Sequence, residues 1–296
     1  MAAVKRYSAV PTSQVTFQST DFYALADDSI RAKIVPLVIK AMAEFYVYPM
    51  NYAVNQNQNS YAIPPRAINM ILRSVQIIST SDADTRVNLE QLSIEDLYAT
   101  SGSTRTLIKK SGFYIEGNNV ILYPTPTQNL DTLRLNYFIR PSQLVDPSAC
   151  AQITSINLGA NTITCAAVPS IWTTSNTVDL VKANPGFDCT AIDQVITNIN
   201  SGVITFSTAL PTNVSVGDYI CLAGTSCVVQ VPVELQPLLT QYVVVRVLSA
   251  QGDANGLKAA LAELEALEKN ANLLLAPRVQ GSVKRVVKSR GINRWV

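Results

Sequence analysis

Residues Phe113–Tyr123 read FYIEGNNVILY, and they are the clearest local signal in the chain. Two runs rich in β-favouring residues flank Gly117-Asn118-Asn119, which reads as a hairpin turn. Downstream, Thr132–Ile139 (TLRLNYFI) alternates apolar and polar residues strictly and predicts another strand. Upstream, Ile71, Arg73, Val75 and Ile77, then Leu89 and Leu92, predict short strands around a loop at Ser79–Asp84. Pro124, Pro126 and Pro141 punctuate this region.

Helical periodicity lies on either side. Before the strands, Ile30, Ile34, Leu37, Val38, Ala41, Met42 and Phe45 fall on one stripe, with Asp27 and Asp28 placed to favour the helix dipole. Pro36 inside the pattern predicts a kink or a late start, and Pro49 a stop. Residues 1–20, polar with Thr, Ser and Gln, read as an extended arm, and Asn51–Ser60 as an amide-rich loop. At the other end, Pro232–Gln251 is apolar nearly all round, the mark of a buried helix. Gly252-Asp253 is a helix break and N-cap. Ala254–Leu275 predicts a second helix with Leu257, Ala260, Leu261, Leu264, Leu267, Ala271 and Leu274 on one side, stopped by Pro277. The two helices should run antiparallel.

Residues 148–228 differ in composition, being rich in Thr, Val, Ile, Asn and Cys with Lys182 as the lone cation. Strand candidates at 151–158, 162–166, 177–182, 194–199, 202–206 and 218–222 predict a small all-β domain inserted into the rest. The expected class is therefore α+β. A helical body, made of an N-terminal helix and a C-terminal antiparallel pair, carries a β-hairpin region, the inserted domain and an extended C-terminal arm. The divisions are 1–147 (N-terminal arm, helix and β region), 148–228 (inserted β domain), 229–277 (helix pair) and 278–296 (basic arm).

Composition limits the chemistry. The 296 residues include no His, so imidazole catalysis, Ser-His-Asp and Cys-His triads and His-ligated zinc are excluded. No dinucleotide or P-loop glycine motif and no CxxC pair occurs. The carboxylate pairs Asp82/Asp84 and Glu263/Glu265 read as solvated charge. Asp188 and Asp193 flank a Cys in a β turn and do not earn a metal assignment. The five cysteines (Cys150, Cys165, Cys189, Cys221, Cys227) are odd in number, and their spacing argues against zinc. They read as small buried hydrophobes, and Trp172 reads as core. No catalytic, cofactor or metal site is expected, and the chain is not expected to be an enzyme. The N-terminus has no apolar signal-like stretch and no run is long enough for a membrane span, so a soluble protein made in a cytoplasm is expected.

Charge is sparse and uneven. Charged residues are 15% of the chain, against about 25% in ordinary soluble proteins. Such a surface fits a protein covered by neighbours. Residues 278–296 hold six basic and no acidic residues, hence +6, whereas the other 277 residues carry 17 basic and 21 acidic groups, hence −4. Lys284, Arg285, Lys288, Arg290 and Arg294 are interleaved with Val283, Val286 and Val287 and followed by Trp295, a pattern suited to docking on a protein surface.

Several strings, in order and spacing together, resemble the head-to-tail adaptor (connector) proteins of tailed bacteriophages, in particular the short-tailed type found beneath the portal ring. They are YAIPPRAI at 61–68 followed by LRSV at 72–75, YIEGN at 114–118, LYPTP at 122–126 and LRLNYFIRP at 133–141 with Leu144-Val145. VPSIW at 168–172, GDY at 217–219, Val231-Pro232, Glu234-Leu235, AQGD at 250–253 and APRV at 276–279 follow. Asn69, where Gly is more usual, and the size of the β insertion depart from the pattern. The resemblance implies a homo-oligomeric ring, a dodecamer, in the virion neck between capsid portal and tail, assembled in the host cytoplasm. Its partners would be the portal protein and the tail nozzle or other tail proteins. Lys284, Arg285, Lys288, Arg290, Arg294 and Trp295 would bind the portal. Double-stranded DNA would pass through the lumen without specific binding, which a mildly acidic body favours. The alternatives are another neck or tail structural subunit, such as a nozzle or head-completion protein, and a glycan- or receptor-binding module acting through the β domain.

Overall fold

A computed structural model of the chain describes residues 2–10, 17–79, 86–93, 111–127, 132–184, 186 and 189–275. The α+β class holds, but the body is built mainly from sheets rather than helices. Its central sheet contains β1 (Val47–Ala53), β3 (Ala67–Ile78), β4 (Arg86–Asn88) and β8 (Thr132–Ile139) in the order β1-β8-β3-β4. A second four-stranded sheet contains β2 (Ser60–Ala62), β5 (Glu90–Gln91), β6 (Gly112–Glu116) and β7 (Asn119–Tyr123) in the order β2-β7-β6-β5. The alternation in Thr132–Ile139 explains this: Leu133, Leu135, Tyr137 and Ile139 are fully buried in the core shared by the sheets. The β6–β7 hairpin turns at Gly117, whose φ of 57° is left-handed. The strand β3 is one long element, with a bulge where Asn69 and Met70 take φ of 48° and 55°. The departure at position 69 thus falls on a backbone that favours glycine, which Asn is among the few residues to tolerate.

The N-terminal reading needs revision. Ala2–Tyr7 is a short helix, α1, instead of part of an extended arm. The next helix begins at Ser19, ahead of the two aspartates: α2 spans Ser19–Ser29, with the Asp21 carboxylate accepting from Gln18 N at 2.7 Å. Asp27 is consequently inside the helix and buried. A π-turn at Ile30–Ile34 leads into α3 (Val35–Ala41). Val35 N–H reaches back five residues to Ile30 O, so Pro36 is accommodated by a widened turn instead of a break. The helix ends before Pro49, which sits in β1, an edge strand where its missing N–H is harmless.

At the C-terminal end α4 (Gln236–Gln251) and α5 (Ala254–Leu274) form the antiparallel pair. Gly252 has φ of 74°, and the Asp253 side chain caps α5 by accepting from Gly256 N at 3.0 Å. Seven residues of α4 are buried, against α1, α2 and α5. Gln241, a buried polar residue of α4, donates to Ala260 O across the pair at 2.9 Å.

In chain order, a closed six-stranded barrel separates the body sheets from the helix pair. Its strands are β10 (Ala151–Asn157), β11 (Thr162–Cys165), β12 (Thr177–Val181), β13 (Cys189–Asn200), β14 (Val203–Phe206) and β15 (Tyr219–Leu222), in the order β10-β11-β14-β13-β12-β15. Inward residues such as Ile153, Ile163, Leu180, Ile204 and Ile220, with Trp172, fill it. The barrel's two chain connections meet in a parallel pair, β9 (Gln143–Leu144) with β16 (Thr225–Ser226).

Candidate functional site: the body–barrel junction and the outward faces

Arg66 is set at the entrance to β3 by Pro64 and Pro65. Its carbonyl accepts from Arg140 N at 2.9 Å, and Ala67 N donates to Pro64 O at 2.9 Å. From there the guanidinium reaches into the barrel wall. Nη1 donates to Asp179 Oδ1 at 2.9 Å and Nη2 to Asp179 Oδ2 at 2.8 Å, a two-pronged pair. Asp179 is completely buried. It also accepts from Asp193 N and Gly224 N, each at 3.0 Å. Arg66 further donates to Ser142 Oγ at 3.2 Å and approaches Asp193 Oδ1 at 3.5 Å. Burial works against the guanidinium's charge, but the hydrogen bond and charge of Asp179 more than offset this, leaving Arg66 raised above its ordinary value.

The network continues inward. Ser142 N donates to Gln230 Oε1 at 2.7 Å, Gln230 Nε2 to Cys189 Sγ at 3.1 Å, and Tyr46 OH to Gln230 O at 2.9 Å. Body sheet, barrel and the segment entering α4 are thereby joined by buried polar contacts, which fix orientation where apolar packing alone is less directional. A second clip lies within the barrel region. Lys182 Nζ donates to Asp218 Oδ2 at 3.0 Å, to Ser215 Oγ at 3.2 Å and to Asn213 O, while Asp218 accepts from Ser215 N at 2.8 Å. Sequence reading missed Arg66, Asp179 and Asp218. The signal for Asp179 was available: a single acid inside the apolar run TVDLV at 177–181. Asp193 lies in the long strand β13 rather than a turn. Glu265 pairs with Lys269 at 2.8 Å on the exposed face of α5, whereas Asp82, Asp84 and Asp188 lie outside the described residues.

The cysteines divide. Cys165 is in the barrel core and Cys189 in the polar network, but the Sγ atoms of Cys150, Cys221 and Cys227 all lie within 4.8 Å of one another. A cavity of about 310 Å³ beside Cys227 is lined by Val4, Phe22, Tyr23, Leu239 and Thr240 among others.

Outward, the apolar stripe of α5 is only partly covered. Ala260 and Ala271 are buried, Leu257, Leu264 and Leu267 are half-buried, and Leu261 at its edge is 47% exposed, while Leu273, on the opposite side of the helix, is 79% exposed. Ile71 and Val87 are exposed on the body sheet, as is Ile171 on the barrel. The basic segment with Lys284, Arg285, Lys288, Arg290, Arg294 and Trp295 lies outside the described residues.

The family model described as SU10 adaptor protein matches residues 2–175. The chain belongs to the SU10 adaptor protein family. The match spans the N-terminal helices, both body sheets and the first two barrel strands, and stops before β12. A search of the curated proteins finds no match. Membership makes this chain a phage adaptor and a virion component that interacts with other head or tail proteins.

Proposed function

We propose that the chain is the subunit of a ring, a dodecamer, that joins the portal of the phage head to the tail and leaves a central channel for DNA. The role is structural, with no reaction catalysed. Family membership over residues 2–175 carries this reading. The half-covered stripe on α5 supports it, because a monomer gains nothing from leaving Leu261 and the uncovered parts of Leu257, Leu264 and Leu267 in water, whereas a ring neighbour buries them. The low charge content and the acidic balance outside residues 278–296 fit a subunit enclosed by partners and a channel that does not retain phosphate. The basic segment at 278–296 is the portal-binding arm, with Lys284, Arg285, Lys288, Arg290, Arg294 and Trp295 as its contacts. The barrel faces outward from the neck, toward the capsid or a neighbouring tail protein.

The test is to mix the purified chain with its portal and image the product by negative stain. Twelvefold rings stacked on the portal are expected. Deleting residues 280–296 should abolish capture by immobilised portal while the far-UV circular dichroism stays unchanged. Undiminished capture by the truncated chain would refute the arm's role, and monomers on every grid would refute the ring.

A further inference from the structure

Cys150, Cys221 and Cys227 reach one point from three segments. Cys150 stands just before β10, and the β10–β15 ladder, with Ala151 opposite Ile220, brings it beside Cys221. Cys227 follows directly on β16, where the chain leaves the barrel for the helices. Cys150 and Cys221 are 7% and 0% exposed, and Cys227 is half-buried on the wall of the 310 Å³ cavity. None of the three is in a disulfide.

We propose that these three thiols form a binding site for a thiophilic d10 cation, Zn²⁺, held by three thiolates with the remaining coordination position turned to the cavity. Tetrahedral zinc–thiolate bonds of about 2.3 Å set sulfur–sulfur edges of about 3.8 Å. Separations within 4.8 Å reach that with side-chain rotations alone. The small-hydrophobe reading suffices for Cys165, packed among barrel side chains, and for Cys189, held by the Gln230 amide. It does not account for three sulfurs gathered from separate segments. Cation binding displaces the thiol protons, so it is coupled to their release. The site lies where the chain enters and leaves the barrel, so a bound ion ties barrel to body as a third clasp beside Arg66 and the β9–β16 pair.

The full-length chain, stripped with chelator and kept reduced without oxygen, is titrated with Cd²⁺ as the spectroscopic probe and with Zn²⁺ against a chromophoric chelator. One ion per chain is expected, with an ultraviolet thiolate-to-cadmium charge-transfer band. Cys227→Ser should weaken binding by at least about tenfold, and Cys165→Ser should leave it unchanged. Zn²⁺ should raise the melting midpoint of the wild type and of Cys165→Ser but not of Cys227→Ser, which reads out binding even if Cys150→Ser or Cys221→Ser fails to fold. The proposal is overturned by the absence of a charge-transfer band in the folded wild type, by binding that Cys227→Ser leaves intact, or by a disulfide among the three in protein isolated under thiol-blocking conditions.

Discussion

Replacing Arg66 with Met removes the guanidinium and leaves Asp179 fully buried with only the Asp193 and Gly224 amides as donors. Breaking a buried ion pair from one side costs about 3–5 kcal/mol. Water reaches the Arg66 side chain, which is 17% exposed, so the lower end, about 3 kcal/mol, is expected. Asp179→Ala has a different cost. Arg66 keeps Ser142 and falls back on Asp193, but two part-buried backbone N–H groups lose their acceptor, at about 1 kcal/mol each, the low end of the range for an orphaned donor. The double variant Arg66→Met/Asp179→Ala is therefore informative. Where a carboxylate only pairs with a cation, removing both partners is nearly neutral. Here a deficit of about 2 kcal/mol or more should persist, because Asp179 also serves the barrel backbone. Arg66→Lys should recover only part of the loss, since an ammonium cannot span both carboxylate oxygens. Urea unfolding followed by circular dichroism measures all four variants. An Arg66→Met variant within about 0.5 kcal/mol of wild type, the range of an ordinary surface change, would refute the argument.

Burial raises the Asp27 carboxyl above its ordinary value, outweighing the hydrogen bond from Leu144 N at 2.9 Å and the charge of Arg31. The folded state then holds the proton more tightly than the unfolded chain does. Asp27 is most favourable below the ordinary carboxylate range, and that contribution is lost as pH rises through the raised value. Asp27→Asn keeps an oxygen for Leu144 and carries no charge, so its stability relative to wild type should grow with pH from about 4 upward and then level off; parallel urea midpoints across pH would contradict this. Gly112→Ala should cost about 1–3 kcal/mol, because a Cβ there collides with the Glu90 carbonyl oxygen across β5–β6 and contacts Leu92; an unchanged melting midpoint would count against that register. Asn69→Gly should stay within about 0.5 kcal/mol of wild type, relief of the left-handed backbone being offset by a freer unfolded chain, while Asn69→Val should lose about 1–2 kcal/mol by the same urea assay.

Elements with a strong period were legible from the chain alone. Thr132–Ile139, the Phe113–Tyr123 hairpin and the Gly252-Asp253 break all depend on neighbours within a few residues, and they appear where the local pattern puts them. The barrel strands were legible for the same reason, though their closure through β10 and β15 was not, being a pairing between residues far apart in sequence. Misreadings arose where a local cue was overruled. Pro36 signals a break, yet a π-turn absorbs it; Asp27 and Asp28 look like a helix start, yet Asp27 faces inward to bind Leu144. Calling the body helical overlooked that its two sheets, with their short paired strands, hold much of its core. The junction was illegible because Arg66 and Asp179 are 113 residues apart and neither stands in a chemical motif.

The β9–β16 pair has a consequence for how such a chain is assembled from parts. Gln143 N donates to Gly224 O at 2.8 Å, and Val145 N to Ser226 O at 3.0 Å, so the chain departs for the barrel and returns from it at adjacent points. Parallel neighbours always need a long crossover, and here the whole barrel is that crossover. Seen from the body, the excursion leaves and returns through one doorway, and Arg66 reaching Asp179 is a separate latch between the two. The barrel thus hangs on the body as a closed loop of chain, its entry and exit stitched together by the same two strands.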